Sequence, residues 1–344
     1  MNPVAAPVFV TGGSGFIGTA LTTRLVQQGR EVRALVRSDR AASAVTALGA
    51  TAIAGDLDDQ VALLRGMRGC RTVFHVAGVN AMCLRDTGPM FQANVDGAAE
   101  IVRAAAAAGV SRVVHTSSAA TIGEPRGAVG REDTPHRGHF LSAYERSKFL
   151  GERAVVSLGD ELGVVVVCVN PSSVQGPGRT DGSAKLLLDL VNGALPFLVD
   201  TSVSIVDIDD CVQALALAEH AGVPGARYLV NGATLTIREA VDLLRDACGQ
   251  PRRARFLPRW LVRAGAPLAS TGARLVGRDM ALCGEMVRTL LHGHRYDGSL
   301  ASRELGLRYT SIQDTVRRTL TWYAERGMTP APRELRGSGR GRGA

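Results

Sequence analysis

The sequence predicts an α/β protein, a doubly wound parallel sheet followed by a smaller, mostly helical C-terminal lobe. Three observations lead there. Short apolar, β-branched runs recur at residues 7–11, 31–36, 51–54, 72–76, 111–116 and 164–169, with helical patterns between them. That alternation belongs to parallel strands whose crossover helices cover both faces. A glycine-rich turn separates the first strand from the first helix, and after Asn170 the alternation gives way to helical segments. At 344 residues the chain is long enough for one large domain plus a lobe.

The first strand, P-V-F-V-T, runs into Thr11-Gly12-Gly13-Ser14-Gly15-Phe16-Ile17-Gly18, where a helical pattern begins and continues through Ala20, Leu21 and Leu25. Gly13-x-Gly15-x-x-Gly18 has the spacing of a dinucleotide-binding turn. Glycines there permit positive φ, let the backbone touch a pyrophosphate and let the helix pack closely on the strand. The helix N-terminus adds unpaired N–H groups and a positive dipole end. The second strand ends at Arg37, with Arg33 and Arg40 nearby. A carboxylate at that place accepts from a ribose 2′-hydroxyl, whereas an arginine suits a 2′-phosphate, so the expected cofactor is NADP(H) rather than NAD(H).

The clearest helical stretch, Met90 to Ala108, ends at Gly109. The strand Arg112 to His115 then leads into Thr116-Ser117-Ser118. Hydroxyls at the C-terminal end of a strand lie where doubly wound sheets bind ligands, and one can donate to a substrate carbonyl. Ser142 to Lys148 opens a helix in which Tyr144 and Lys148, four apart, share a face. A phenol titrates near ~10. A neighbouring ammonium favours phenolate and draws that value toward neutrality, and it can also hold ribose hydroxyls.

Beyond residue 180 the chain is expected to divide its work. Segments near 203–231, including strand candidates Val203 to Val206 and Arg227 to Val230, complete the sheet of a dinucleotide domain spanning 1–180. Residues 181–328 mostly build a substrate lobe, nearly all helix from Thr236 onward. The tail 329–344 is Pro-, Gly- and Arg-rich and is expected to be disordered. The tail supplies +3 of the net charge of +8. Without a basic stripe interleaved with aromatics, nucleic-acid binding is excluded as an expectation, and the surplus favours an anionic cofactor or substrate. The basic segment from Arg252 to Arg278 reads as a lobe helix with its arginines in water, since Pro258, Gly265 and Pro267 interrupt it as a membrane-surface helix. The six cysteines lack short spacings and read as reduced thiols. With neither a signal-peptide pattern nor a membrane-length apolar run, the expected location is cytoplasmic. His136, His139, His292 and His294 lie outside any carboxylate or cysteine cluster. They are expected to face solvent, with no metal site.

Together these motifs resemble the extended short-chain dehydrogenases/reductases of the NAD(P)-dependent epimerase/dehydratase superfamily, nearest its dihydroflavonol reductase-like branch. The resemblance runs from about residue 7 to 326 and implies a Rossmann fold. It further implies that Asp56-Leu57 meets the adenine, and that Ala77-Gly78 lies along the cofactor. Asn94, in Asn94-Val95-Asp96-Gly97, would support the active site. Thr116 belongs to the T-S-S-A motif, and Pro171 and Val174, in Asn170-Pro171-x-x-Val174, frame the nicotinamide. Counting back from Ile122-Gly123, Ser118 rather than Ser117 takes the family's catalytic hydroxyl position. The implied catalytic set is Ser118, Tyr144 and Lys148, in an oxidoreductase that reduces a carbonyl of a moderately apolar small metabolite, or oxidises the alcohol. Apolar cover for that substrate is expected from Val79, Met82, Cys83, Phe91, Leu195 and Phe197. By family analogy, the helices Met90 to Ala108 and Ser142 to Leu158 would form a homodimer interface. Two other readings stay open. One is a nucleotide-sugar epimerase or dehydratase with tightly held NAD, Arg179 and Lys185 then meeting the substrate phosphates. The other is a non-catalytic cofactor sensor, which would not need Ser118, Tyr144 and Lys148.

Overall fold

The computed structural model describes residues 6–195, 197–248, 255–263 and 283–329. The tail 330–344 and most of the segment from Arg252 to Arg278 lie outside the described residues.

Seven parallel strands form the main sheet, built from β1 (Val8–Thr11), β2 (Val32–Val36), β3 (Thr51–Ala54), β4 (Thr72–His75), β5 (Arg112–Thr116), β6 (Val165–Pro171) and a later strand, Arg227–Val230. Their spatial order is Arg227–Val230, then β6, β5, β4, β1, β2, β3. The order reverses between β1 and β4, so the crevice at the C-terminal ends of those two strands is where a doubly wound sheet binds its ligand. Residues Val8, Phe9, Val10, Val73, Phe74, Val113, Val114, Val166 and Val167 are almost wholly buried, as strands covered on both faces require.

One face is covered by α1 (Phe16–Gln27), α2 (Asp39–Ala47) and a later helix, Ile208–Ala221, through Leu21, Leu25, Val45 and Leu215. The other is covered by α3 (Gln60–Met67), α5 (Gly97–Ala107) and α6 (Ala143–Leu162) through Leu63, Met67, Ile101 and Val155. Each large apolar side chain so buried contributes about 1.5–3 kcal/mol. The expected helix from Met90 to Ala108 is not continuous. A short turn, α4 (Gly88–Phe91), passes into a π-helical turn at Gln92–Asp96 before α5. The chain leaves α5 through Gly109, whose φ of +73° explains the glycine stop.

The second half corrects three expectations. Arg227–Val230 does complete the main sheet, beside β6, but Val203–Val206 does not. It belongs to β9 (Ser202–Asp207), which pairs with β7 (Ser173–Gln175) and β11 (Ala233–Thr236) in a separate three-stranded sheet, β8 (Phe197–Val199) and β10 (Arg227–Val230) being the strands numbered between them. Among the described residues the region after Thr236 is mostly helix, with β12 (Arg255–Leu257) pairing with β8. Phe197, expected to cover substrate, lies 53% exposed in that small sheet. The lobe has its own apolar cluster, in which α7 (Ser183–Val191), α9 (Ile237–Cys248) and α12 (Ile312–Glu325) bring Leu190, Val241, Leu244, Leu320 and Tyr323 together. Helix α8 is Ile208–Ala221, α10 is Gly284–His292 and α11 is Ser299–Leu305.

The third correction concerns the cysteines. Cys83 and Cys283 form a disulfide across 200 residues of sequence, with Cα atoms 5.7 Å apart. Cys70, Cys168 and Cys211 are buried thiols. The argument for a reducing location that drew on six free thiols does not hold for this pair. Among the described residues no helix is long and apolar enough to cross a membrane.

Candidate active site

Thr11, the last residue of β1, ties the two strands of the crevice together. Its hydroxyl lies 2.7 Å from His75 Nδ1 at the end of β4 and accepts the Ala77 N–H at 3.2 Å. Gly12 follows with φ +71°, and a Cβ there would lie 2.6 Å from the Ala77 nitrogen. A Cβ on Gly18 would lie only 1.9 Å from the Gly12 carbonyl oxygen, so the start of α1 can seat against the turn only if residue 18 is glycine. Ser14 and Gly15 are exposed, and Gly15 caps α1 with no side-chain hydrogen bond. The first N–H groups of α1, Phe16 and Ile17 included, are therefore left to an outside acceptor. Gly18→Ala is expected to raise the dinucleotide Kd about 10- to 100-fold, since relieving such an overlap costs about 1–3 kcal/mol of the turn's geometry. Fluorescence titration of reduced dinucleotide measures it, and wild-type affinity would remove the turn from the binding site.

Arg37 and Asp56 stand side by side beyond the ends of β2 and β3, 3.8 Å apart and well exposed. Asp56 also accepts the Leu57 N–H at 2.7 Å. This places the residues expected at the adenosine end at the rim of the same crevice.

The other candidate groups gather around the start of α6. Ser142 caps that helix by accepting the Glu145 N–H at 3.1 Å, while Glu145 reaches back to the Leu141 N–H at 2.8 Å. This S-x-x-E arrangement sets the first turn, on which Tyr144 sits. Lys148, one turn on, is buried and donates to the Thr116 carbonyl oxygen at 2.8 Å. Ser118 lies close enough to Tyr144 to favour its ionised form, and its hydroxyl accepts the Ala120 N–H at 3.3 Å. Ser117 points elsewhere, giving its hydroxyl to Glu152. Asn94, in the π-helical turn, accepts from Val79 N–H at 2.7 Å and donates to Val79 C=O and to the Ser147 hydroxyl, both at 2.9 Å. It clamps the loop after β4 onto α6. Pro171 ends β6 and Val174 lies in β7, its carbonyl accepting from Arg179 at 2.7 Å.

The electrostatics depart from the expectation that Lys148 draws the phenol down. Burial pushes Tyr144 up from its usual range, opposed by the Ser118 hydrogen bond and by the charge of Arg179. Lys148 itself is pushed down to about 8, mainly by burial, with Glu152 opposing. The physical reason is enclosure, which disfavours both phenolate and ammonium. Two imidazoles stack nearby, His75 and His115, with centroids 5.1 Å apart. Burial and then the Lys148 charge hold His75 down at about 3 and His115 well below the imidazole range, so both are neutral at neutral pH.

Arg179, a phosphate contact on the epimerase reading, acts electrostatically on Tyr144 while its backbone carbonyl accepts from Tyr323. Three contributors escaped the sequence reading. Glu152 lies four residues after Lys148, a spacing that continues the Tyr144–Lys148 face and could have signalled it. Glu285, on α10, accepts the N–H groups of Cys83 at 3.1 Å and of Ala143 at 2.8 Å. It pins the lobe to the residue beside Tyr144, and no local pattern announces it. Glu124 is buried against two histidines expected to face solvent. His294 Nδ1 lies 2.7 Å from its Oε1, and His292 is itself buried, with Nε2 3.5 Å away. Burial pushes the Glu124 carboxyl up, but the two imidazoles beside it hold it down at about 2.

The model of the NAD dependent epimerase/dehydratase family matches residues 8–230. A Synechocystis protein named as a candidate dihydroflavonol 4-reductase is 30% identical over 93% of this chain and 95% of its own length. A Stenotrophomonas maltophilia protein named 2-alkyl-3-oxoalkanoate reductase is 32% identical over 71% of this chain and 76% of its own. Among solved structures, that of gox2253 superposes with a TM-score of 0.82, at 29% identity, covering 94% of this chain and 99% of that one.

Proposed function

Because the chain belongs to the NAD dependent epimerase/dehydratase family, and so is an NAD(P)-dependent enzyme of the extended short-chain dehydrogenase/reductase type, we propose that it is an NADPH-dependent reductase of a ketone or aldehyde on a moderately apolar small molecule. The observation that supports the proposal most is that Ser118 lies beside Tyr144 while Lys148, one turn further along α6, is buried against the Thr116 carbonyl at the end of β5. Two relatives that align over most of the chain bear reductase names, which favours net reduction over an internal epimerase cycle.

A bound nicotinamide dinucleotide would supply the hydride; the residues of the turn from Gly12 to Gly18 would hold its pyrophosphate through backbone N–H groups. Ser118 donates to the substrate carbonyl oxygen and orients it. Tyr144 delivers its proton to that oxygen as negative charge develops there, where a donor lowers the barrier most. Burial keeps Tyr144 a neutral phenol, the form a proton donor needs. Lys148 holds a ribose hydroxyl and stabilises the tyrosinate left after transfer.

That assignment has a pH signature. The Lys148 amine is charged below about 8 and neutral above it. Reduction should therefore fall as pH rises through that value. A profile of kcat/KM that stays flat well above it would remove Lys148 from the role.

The cofactor choice rests on Arg37, against a family description that names NAD. A guanidinium bound to a 2′-phosphate is worth about 1.5–3 kcal/mol, so Arg37→Ser should lower the preference for NADPH over NADH about 10- to 100-fold. Loss of reduced-cofactor absorbance with each dinucleotide, tested with a panel of apolar ketones and of UDP-sugars, checks the whole proposal. Consumption of NADPH with the ketones is the expected result. NADH preference with no net consumption by any substrate would overturn it.

A further inference from the structure

A cavity of about 940 Å³ lies between α10, the helical residues 259–263 and the segment 125–141. Five arginines line it, Arg126, Arg137, Arg259, Arg263 and Arg288, and no aspartate or glutamate does among the described residues. The rest of the wall is largely apolar, including Leu141, Val287, Leu291 and Trp260, with His139 and His292 as its other polar side chains. Trp260 is 70% exposed, an unusual cost for a large aromatic with no partner to cover it.

From this we infer that the cavity seats the anionic head, carboxylate or phosphate, of an amphipathic substrate whose apolar body lies along Trp260, Val287 and Leu291. The inference rests on the reductase reading and gives it a substrate class. Guanidinium groups converging on one space without acidic partners attract anions and bind carboxylate or phosphate by paired hydrogen bonds. Three of the arginines are partly engaged. Arg137 pairs with Glu145, Arg288 donates to the Leu141 carbonyl at 2.9 Å, and Arg259 donates to the Asp200 carbonyl at 3.0 Å. Neither Arg126 nor Arg263 has an ion-pair partner among the described residues.

A second observation is independent of the charge count. Arg137 Nε is a buried nitrogen without a hydrogen-bond partner, and its side chain, 4% exposed, lines the cavity. Buried polar groups are rarely left unmet unless a ligand or water reaches them. The cavity also adjoins the catalytic turn. Leu141 lies three residues before Tyr144, a span of at most about 11 Å. Arg126 follows the short helical turn that Ser118 caps, and Glu285 ties α10 to Ala143.

Intrinsic fluorescence reports on Trp260 directly, with Trp260→Phe separating its signal from that of Trp322. Decanoate, decyl phosphate and methyl decanoate serve as probes. Both anions should perturb Trp260 at concentrations about tenfold or more below the ester, and their order shows which head group the site prefers. The double variant Arg126→Met/Arg263→Met should erase most of that difference. Equal binding of ester and acid, or undiminished discrimination in the double variant, would overturn the anion cavity. A turnover arm compares 3-oxodecanoate with its methyl ester. The acid should show kcat/KM about tenfold higher, through KM, and the double variant should reduce its advantage. Anion binding at Trp260 without any such advantage would overturn the substrate assignment. Reduction of no ketone by wild-type protein would instead sink the reductase reading, and the fluorescence titration would still decide the cavity.

Discussion

Tyr144→Phe is expected to lower kcat for carbonyl reduction about 10³-fold while leaving the Kd for NADPH within about twofold. The substitution deletes one oxygen and keeps the ring, so the packing of α6 is preserved. What it removes is the phenolic proton beside Ser118. Lys148 cannot take over, because its amine is turned to the Thr116 carbonyl. Ser118 can still orient the carbonyl oxygen, so residual activity should depend on water as the acid. Stopped-flow measurement of cofactor oxidation separates the hydride step from binding. A variant with more than about a tenth of wild-type kcat would show that another group donates the proton.

Glu152→Ala carries the largest expected loss of stability, about 3–5 kcal/mol. Its carboxylate accepts from Ser117, from Thr121 at 3.0 Å and from Asn170 Nδ2 at 2.5 Å, and it pairs with Arg227 Nε at 3.1 Å. It is 3% exposed, so truncation leaves the Ser117 hydroxyl and the Arg227 guanidinium without this acceptor, while Thr121 and Asn170 keep only the Ser118 carbonyl and each other. These partners come from the ends of β5, β6 and β10, the strands that carry Ser118 and frame the crevice. Urea denaturation should show a lower midpoint at unchanged slope. Activity should fall as well, because the turn from Ser118 to Ile122 is hung on the same carboxylate. A midpoint within error of wild type would mean that the network relaxes around the loss.

How much of this could be read from the chain alone follows from the range of the interactions involved. The strands of the main sheet were legible because parallel strands buried on both faces are continuous apolar runs. The glycine turn and the Tyr144–Lys148 pair were legible because their geometry is local. The place of Val203–Val206 was not, since its pattern says strand but not which sheet receives it. The burial of His292 escaped notice because its neighbour, Glu124, is far away in sequence. The pull of Lys148 on Tyr144 was overestimated for a related reason. Sharing a helix face sets where two side chains start, whereas the carbonyl of Thr116 and the surrounding apolar packing decide where the amine ends and what burial does to both groups.

The bond between Cys83 and Cys283 makes the intervening chain a closed covalent loop. A protease nick at an exposed site within that loop would leave one species of undiminished mass on a gel run without thiol. Only with reductant would two fragments separate, so purity judged without it would hide a cut between the glycine turn and the lobe.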